Sequence, residues 1–142
     1  MNQITLAQAN TIIAAAFAKG TELGLKPLSI VVLDAGGHEI AFQRQDGSST
    51  LRPQIARGKA GGALALGISS RKIADMAAER PTFLASLGPI SPISIIPAAG
   101  GVIIVDADSR PLGAVGVTGD TSDNDESCAL AGIAAAGMTA QA

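Results

Sequence analysis

The chain has no tryptophan, no tyrosine and only three phenylalanines, Phe17, Phe42 and Phe83. Without aromatic platforms it has no surface on which unpaired bases stack. Its ten Lys and Arg are scattered rather than gathered into a stripe, and the net charge is −2. Nucleic acid is therefore excluded as the expected partner. A single cysteine, Cys128, excludes an intrachain disulfide. A single histidine, His38, with no Cys/His cluster, leaves no basis for a zinc site. No run of about 18 apolar residues occurs, so no membrane span is expected. The first residues lack a basic stretch followed by an apolar core, which predicts no secretory signal and a cytoplasmic location.

What is present is small and aliphatic. Apolar residues make up 47% of 142, enough for one domain, 1–142, with a core of Ala, Leu, Ile and Val. The surplus of apolar side chains predicts surface covered by other copies, hence a homo-oligomer.

Thr5 and Gln8 have capping-box spacing, and Ala9, Ile12, Ala16 and Phe17 follow at helical intervals. Gly20 or Gly24 ends that helix. Leu28–Asp34 reads as a buried strand and Glu39–Arg44 as a half-exposed one, joined by a turn at 35–38. Residues 51–66 are helical again, with Pro53 in the first turn. Gly58, Gly61 and Gly62 weaken this helix, which calls for close packing. Ser69 or Ser70 caps a further helix over 71–79. Pro81, Pro89, Pro92 and Pro97 mark 80–100 as irregular, serving as a lid, a pocket wall or an oligomer contact.

A second hairpin, Gly101–Asp106 with Leu112–Val117, and a helix over 123–138 complete the chain. Asp34 and Asp106 occupy matching places in the two hairpins, each able to bond turn N–H groups. The order α-β-β-α-α-β-β-α predicts an α+β fold, an antiparallel sheet of two hairpin units flanked by helices.

Gly113, Gly116 and Gly119 are spaced every third residue. This is neither a dinucleotide fingerprint nor a P-loop. Four acids follow, Asp120, Asp123, Asp125 and Glu126, which read as caps and dipole partners of the last helix. The twelfth position from Asp120 is Ala131, so this is no EF-hand. The loop itself offers Thr118 and the N–H groups of 118–121 to a carboxylate or a coordinated group. His38 is either a solvated turn residue or a neutral-pH base and iron ligand. Cys128 is either a small buried hydrophobe or a helix-activated nucleophile. Arg44 with Asp46 can clamp a carboxylate or pair with each other. Lys59, among small residues, is either solvated or drawn into a pocket with a shifted pKa.

Three segments together, Val31–Gly47, Ile55–Ala60 and Leu112–Gly119, followed by the acidic helix start, resemble the GlcG/HbpS family. This is the DUF336 or "haem-degrading" group, which includes the C-terminal domain of PduO-type proteins. The resemblance runs from Leu6 to Met138 and implies a profilin-like fold and oligomeric assembly. The family's motifs fall on Asp34, Gly36, Gly37, Arg44, Asp46, Gly47, Lys59, Gly113, Gly116 and Gly119. The family includes haem-binding proteins and members encoded beside catabolic enzymes. Haem is thus the cofactor the resemblance suggests. With no histidine on the first helix, its iron would fall to His38, Thr118 or a residue of a partner subunit.

Two functions are expected from this reading. The first is an oligomeric small-ligand-binding protein whose ligand is haem or a small organic acid, bound by Arg44, Asp46, Lys59, Thr118, Gly119 and Asp120. The alternative is a small catabolic isomerase or lyase acting on a carboxylated metabolite. There Lys59 or His38 is the base, Arg44 holds the carboxylate and the N–H groups after Thr118 stabilise an oxyanion.

Overall fold

The computed structural model describes residues 3–142; Met1 and Asn2, the start of the expected domain and N-terminal segment, lie outside it. Helix α1, Leu6–Leu23, opens with the expected capping box between Thr5 and Gln8 and ends at Gly24, which takes the left-handed conformation. Gly20 lies inside the helix. Strands β1, Ser29–Asp34, and β2, Glu39–Arg44, form the first hairpin. Helix α2, Arg52–Leu66, carries Pro53 in its first turn. Helix α3, Ser70–Glu79, is capped by Ser69. Strands β3, Gly101–Val105, and β4, Pro111–Thr118, form the second hairpin, and helix α5, Ser122–Ala135, follows.

Two elements depart from expectation. Segment 80–100 contains a helix, α4, Pro81–Leu87, and a short 3₁₀ turn over Gly88–Ile90. Pro81 stands at the helix start, where its missing N–H is harmless. A two-residue strand, β5, Thr139–Ala140, pairs with β3.

All five strands run antiparallel in the order β2-β1-β4-β3-β5. The second hairpin is inserted so that β4 lies beside β1. One sheet face packs Ile30, Val32, Val102, Ile104, Val115 and Val117 against α1 and α5. The other packs Val31, Leu33 and Ala114 against Ala56 and Ala60 of α2.

The two hairpin turns are copies in detail. Asp34 Oδ1 accepts from the N–H groups of Gly36 and His38 at 2.9 Å each. Asp106 Oδ1 accepts from Asp108 and Arg110 at 2.8 and 2.9 Å. The left-handed position is Gly37 in the first turn and Ser109, φ 61°, in the second.

Helix α2 is enclosed from both sides, which explains its glycines. Gly116 of β4 meets the backbone carbonyl of Ala56, leaving no space for a Cβ. On the outer side residues 93–96 cross the helix, with Ile93 over Gly61, Ile95 over Gly62 and Ile96 over Gly58. The expected wall in the proline-rich segment is therefore a strap laid along bare helix backbone. A cavity of about 380 Å³ lies beside it, lined by residues including Leu33, Arg57 and Ile93.

Candidate functional site

The first residue of α2 begins the site. Arg52, Ala56 and Lys59 recur at helical spacing and share the face turned toward the sheet. Opposite them stands the end of β4. Arg52 Nη1 donates to Thr118 Oγ1 at 2.8 Å. Lys59 Nζ donates to the Val117 carbonyl at 3.0 Å and to Asp125 Oδ2 at 3.2 Å. Asp125 Oδ1 in turn accepts the Asp120 N–H at 2.9 Å. One buried carboxylate thus joins α2, β4 and the start of α5.

Lys59 and Asp125 are 3% and 1% exposed, so their ion pair is internal. Burial pushes the Lys59 pKa below its ordinary value; Asp125 opposes this and Arg52 adds to it. Of the two sequence readings of Lys59, the structure gives the buried one. Its counterion is Asp125, which the sequence alone presents as a cap or dipole partner of the last helix.

The N–H groups expected to be free after Thr118 are largely spent by their own acids. Asp120 Oδ2 accepts from Thr121 N–H at 2.8 Å and from Asn124 Nδ2 at 2.8 Å, while Oδ1 accepts from Lys26 N–H at 3.1 Å. Hydrogen bonds from Asn124, Thr121 and Lys26 hold the Asp120 pKa down at about 2. Asp120 so ties the α1–β1 connection to α5. A carboxylate with a depressed folded pKa stabilises above its unfolded pKa, and that contribution is lost as pH falls through the folded value. Asp120→Asn is therefore expected to melt lower than the native chain at pH 6. The gap should narrow from pH 4 toward pH 2 in a melting series. Gly119 packs on Pro27 and Leu28.

The remaining expected residues divide between two ends of the sheet. Register pairs Ser29 with both Arg44 and Thr118. Cross-strand partners point to one face, so Arg44, Ser29 and Thr118 form a row on the α2 side. Arg44 is exposed at the rim, with Asp46 beyond it. The two form no ion pair; among the described residues neither Arg44 nor Arg52 has a carboxylate within salt-bridge distance.

His38 stands at the other end, where Asp34 pairs with Gly113. Five residues of strand, about 16 Å, separate that pair from Ser29 and Thr118. His38 Nδ1 faces Asp34 Oδ1 at 3.3 Å and its side chain is 82% exposed. The structure therefore brings Lys59 to the Val117 carbonyl, next to Thr118 at the end of β4, and leaves His38 apart from both. Cys128 is buried in the α1–α5 core. Burial, with Asp125 nearby, pushes its thiol up to about 11, away from the nucleophilic thiolate form.

Two residues of this end were absent from the sequence-derived site. Arg52 was legible in principle, because it precedes Lys59 by seven residues on a helix. Ser29 carried no signal of its own.

Among the described residues no group of three or more His, Cys, Asp and Glu gathers into a metal site. No helix among them is long and apolar enough to cross a membrane.

A family model described as haem degrading protein HbpS-like matches residues 4–134. The fold is also found in solved structures. Protein ORFY of Klebsiella pneumoniae is 30% identical, with 94% of this chain and 90% of that one covered and a TM-score of 0.83. A double mutant of Streptomyces reticuli HbpS is 29% identical over 93% and 86% of the two chains, TM-score 0.79. PduOC, solved as a haem complex, is 20% identical over 99% of each chain, TM-score 0.86, a likeness of fold. No curated protein sequence matches the chain significantly.

Proposed function

The chain belongs to the HbpS-like family, and from that premise we propose that it is a small-ligand-binding protein. It takes its ligand, haem or a small organic acid, by a carboxylate at the Arg52 end of the sheet. The observation that carries this reading is the guanidinium itself. Arg52 spends one N–H on Thr118 and has no acid partner among the described residues. Its remaining donors suit a carboxylate, which arginine binds as a planar fork. Arg44 stands along the same row as a second cation at the rim.

Haem is the first ligand to try, given the family's description and the neighbour solved as a haem complex. The residues at Thr118 fit its carboxylates but not its iron. Thr118 is fully buried and its oxygen already accepts from Arg52. The one histidine lies at the far end of the sheet, so an axial ligand there belongs to a different site or to a second copy. Assembly into a homo-oligomer belongs to the same proposal. Leu6, Leu51, Phe83 and Ile90 are exposed apolar side chains that another copy would cover.

The test is a pair of titrations, haem followed by absorbance and pyruvate followed by calorimetry, with light scattering on the same sample. At least one ligand should bind, and Arg52→Ala should weaken it about 100-fold, as truncating a charge partner does. Absence of binding by both ligands would remove this reading.

A further inference from the structure

Donor and acceptor accounting at this end of the sheet leaves buried hydroxyl groups unspent beside an unneutralised positive charge. Ser29 is 0% exposed, and its Oγ is the buried side-chain polar atom with no hydrogen-bond partner among the described residues. Buried hydroxyls are nearly always paired, so an orphan calls for a cause. Its cross-strand neighbour Thr118 is equally buried and only accepts, from Arg52. A hydroxyl that only accepts still has a proton to give. Two adjacent buried hydroxyls therefore hold unspent O–H donors on the α2 face.

The start of α2 adds to this imbalance. Leu51, at the N-cap position of this 15-residue helix, provides no side-chain hydrogen bond; the Arg52 N–H goes to the Ser49 carbonyl at 3.2 Å and Pro53 has no N–H. The helix end is positive, and Arg52 stands in it without a carboxylate. The unspent groups are two hydroxyls, which can donate or accept, and a guanidinium, which only donates. The Arg52 charge is what disfavours a metal ion or an amine here and favours an anion. A carboxylate oxygen would satisfy both hydroxyls while its partner oxygen took Arg52.

We infer that Ser29 and Thr118 are the residues that read the ligand's carboxylate, completing with Arg52 a three-point oxyanion subsite beneath the start of α2. This rests on the binding reading above and names the group bound. Because both hydroxyls are buried, a compact carboxylate enters: that of a small organic acid directly, or that of a haem propionate at the end of its arm. Entry requires the Arg52 side chain to swing from its present position, which its half-buried state allows.

The test uses the full chain with pyruvate, inorganic phosphate and haem as separate probes. Ser29→Ala should weaken pyruvate about tenfold, the effect of one hydrogen bond to a charged group, and leave the melting temperature without ligand unchanged or raised. Ser29→Cys, close in size but a poor donor, should behave like Ser29→Ala. If haem is the source of the carboxylate, its affinity should fall in both variants while pyruvate binds neither variant nor native protein. Phosphate binding at native strength in both variants while pyruvate falls places phosphate outside the subsite and supports the inference. Native affinity for the bound probe in Ser29→Ala and Ser29→Cys, with loss in Arg52→Ala, overturns the inference: the hydroxyls then hold an ordered water only, and the binding reading stands. No binding of any probe to native protein ends both.

Discussion

Lys59→Met is expected to destabilise the folded chain by about 3–5 kcal/mol, because it strands the Asp125 carboxylate in the interior. In a domain of this size that lowers the melting temperature by roughly 10–17 °C. The argument is one of asymmetry. The pair itself contributes little net stability, since removing two charges from water costs about as much as their attraction returns. Deleting one partner leaves a buried charge whose only other bond among the described residues is to the Asp120 N–H. The double variant Lys59→Met with Asp125→Asn should therefore recover most of the loss. The amide keeps an oxygen for Asp120 and no longer carries charge. Thermal melts of the two variants decide the matter; a double variant no more stable than Lys59→Met would contradict a buried ion pair.

The second large effect is steric. Gly116→Val would place a Cβ into the Ala56 carbonyl and within 3.0 Å of the Ala60 Cβ. A side chain could turn away, but helix backbone cannot without lifting α2 from the sheet. Overpacking of this kind costs about 3 kcal/mol or more. It should also disturb ligand binding, because Arg52 and Lys59 ride on the same helix. Gly137→Ala is the control. Gly137 has φ 70° and nothing within 4 Å of a Cβ, so only backbone strain of about 1–2 kcal/mol is expected. Chemical denaturation that ranks the two variants equally would contradict the close approach of α2 and β4.

Much of this framework was legible because the controlling interactions are local. Thr5 and Gln8 lie three residues apart, and each hairpin turn is organised by its own aspartate. The α4 helix was hidden because Pro81, a breaker within a helix, is a starter at its first position. Strand β5 was hidden because two residues carry no period, and what holds it, pairing with β3 and the packing of Ala140 on the core, is remote in sequence. The site divides in the same way. Lys59 was visible as a cation among small residues, and Arg52 was visible in principle through its spacing. Asp125 was not, since its counterion lies 66 positions away. Nothing local distinguishes it from the capping acids beside it. Ser29 is polar in an apolar strand, and only the register against Thr118 gives that a meaning. The N–H groups of Asp120 and Thr121 look free in the sequence, because nothing local separates an acid that folds back on the loop from one that faces the helix dipole.

The most direct measurement of where the ligand's carboxylate is held is amide chemical-shift mapping of the isotope-labelled chain during titration with pyruvate, followed by haem. The account predicts that the largest saturable shifts gather at Ser29, Arg52, Thr118 and Gly119, and vanish in Arg52→Ala. Shifts centred on the 36–39 turn around His38, surviving in Arg52→Ala, would contradict it.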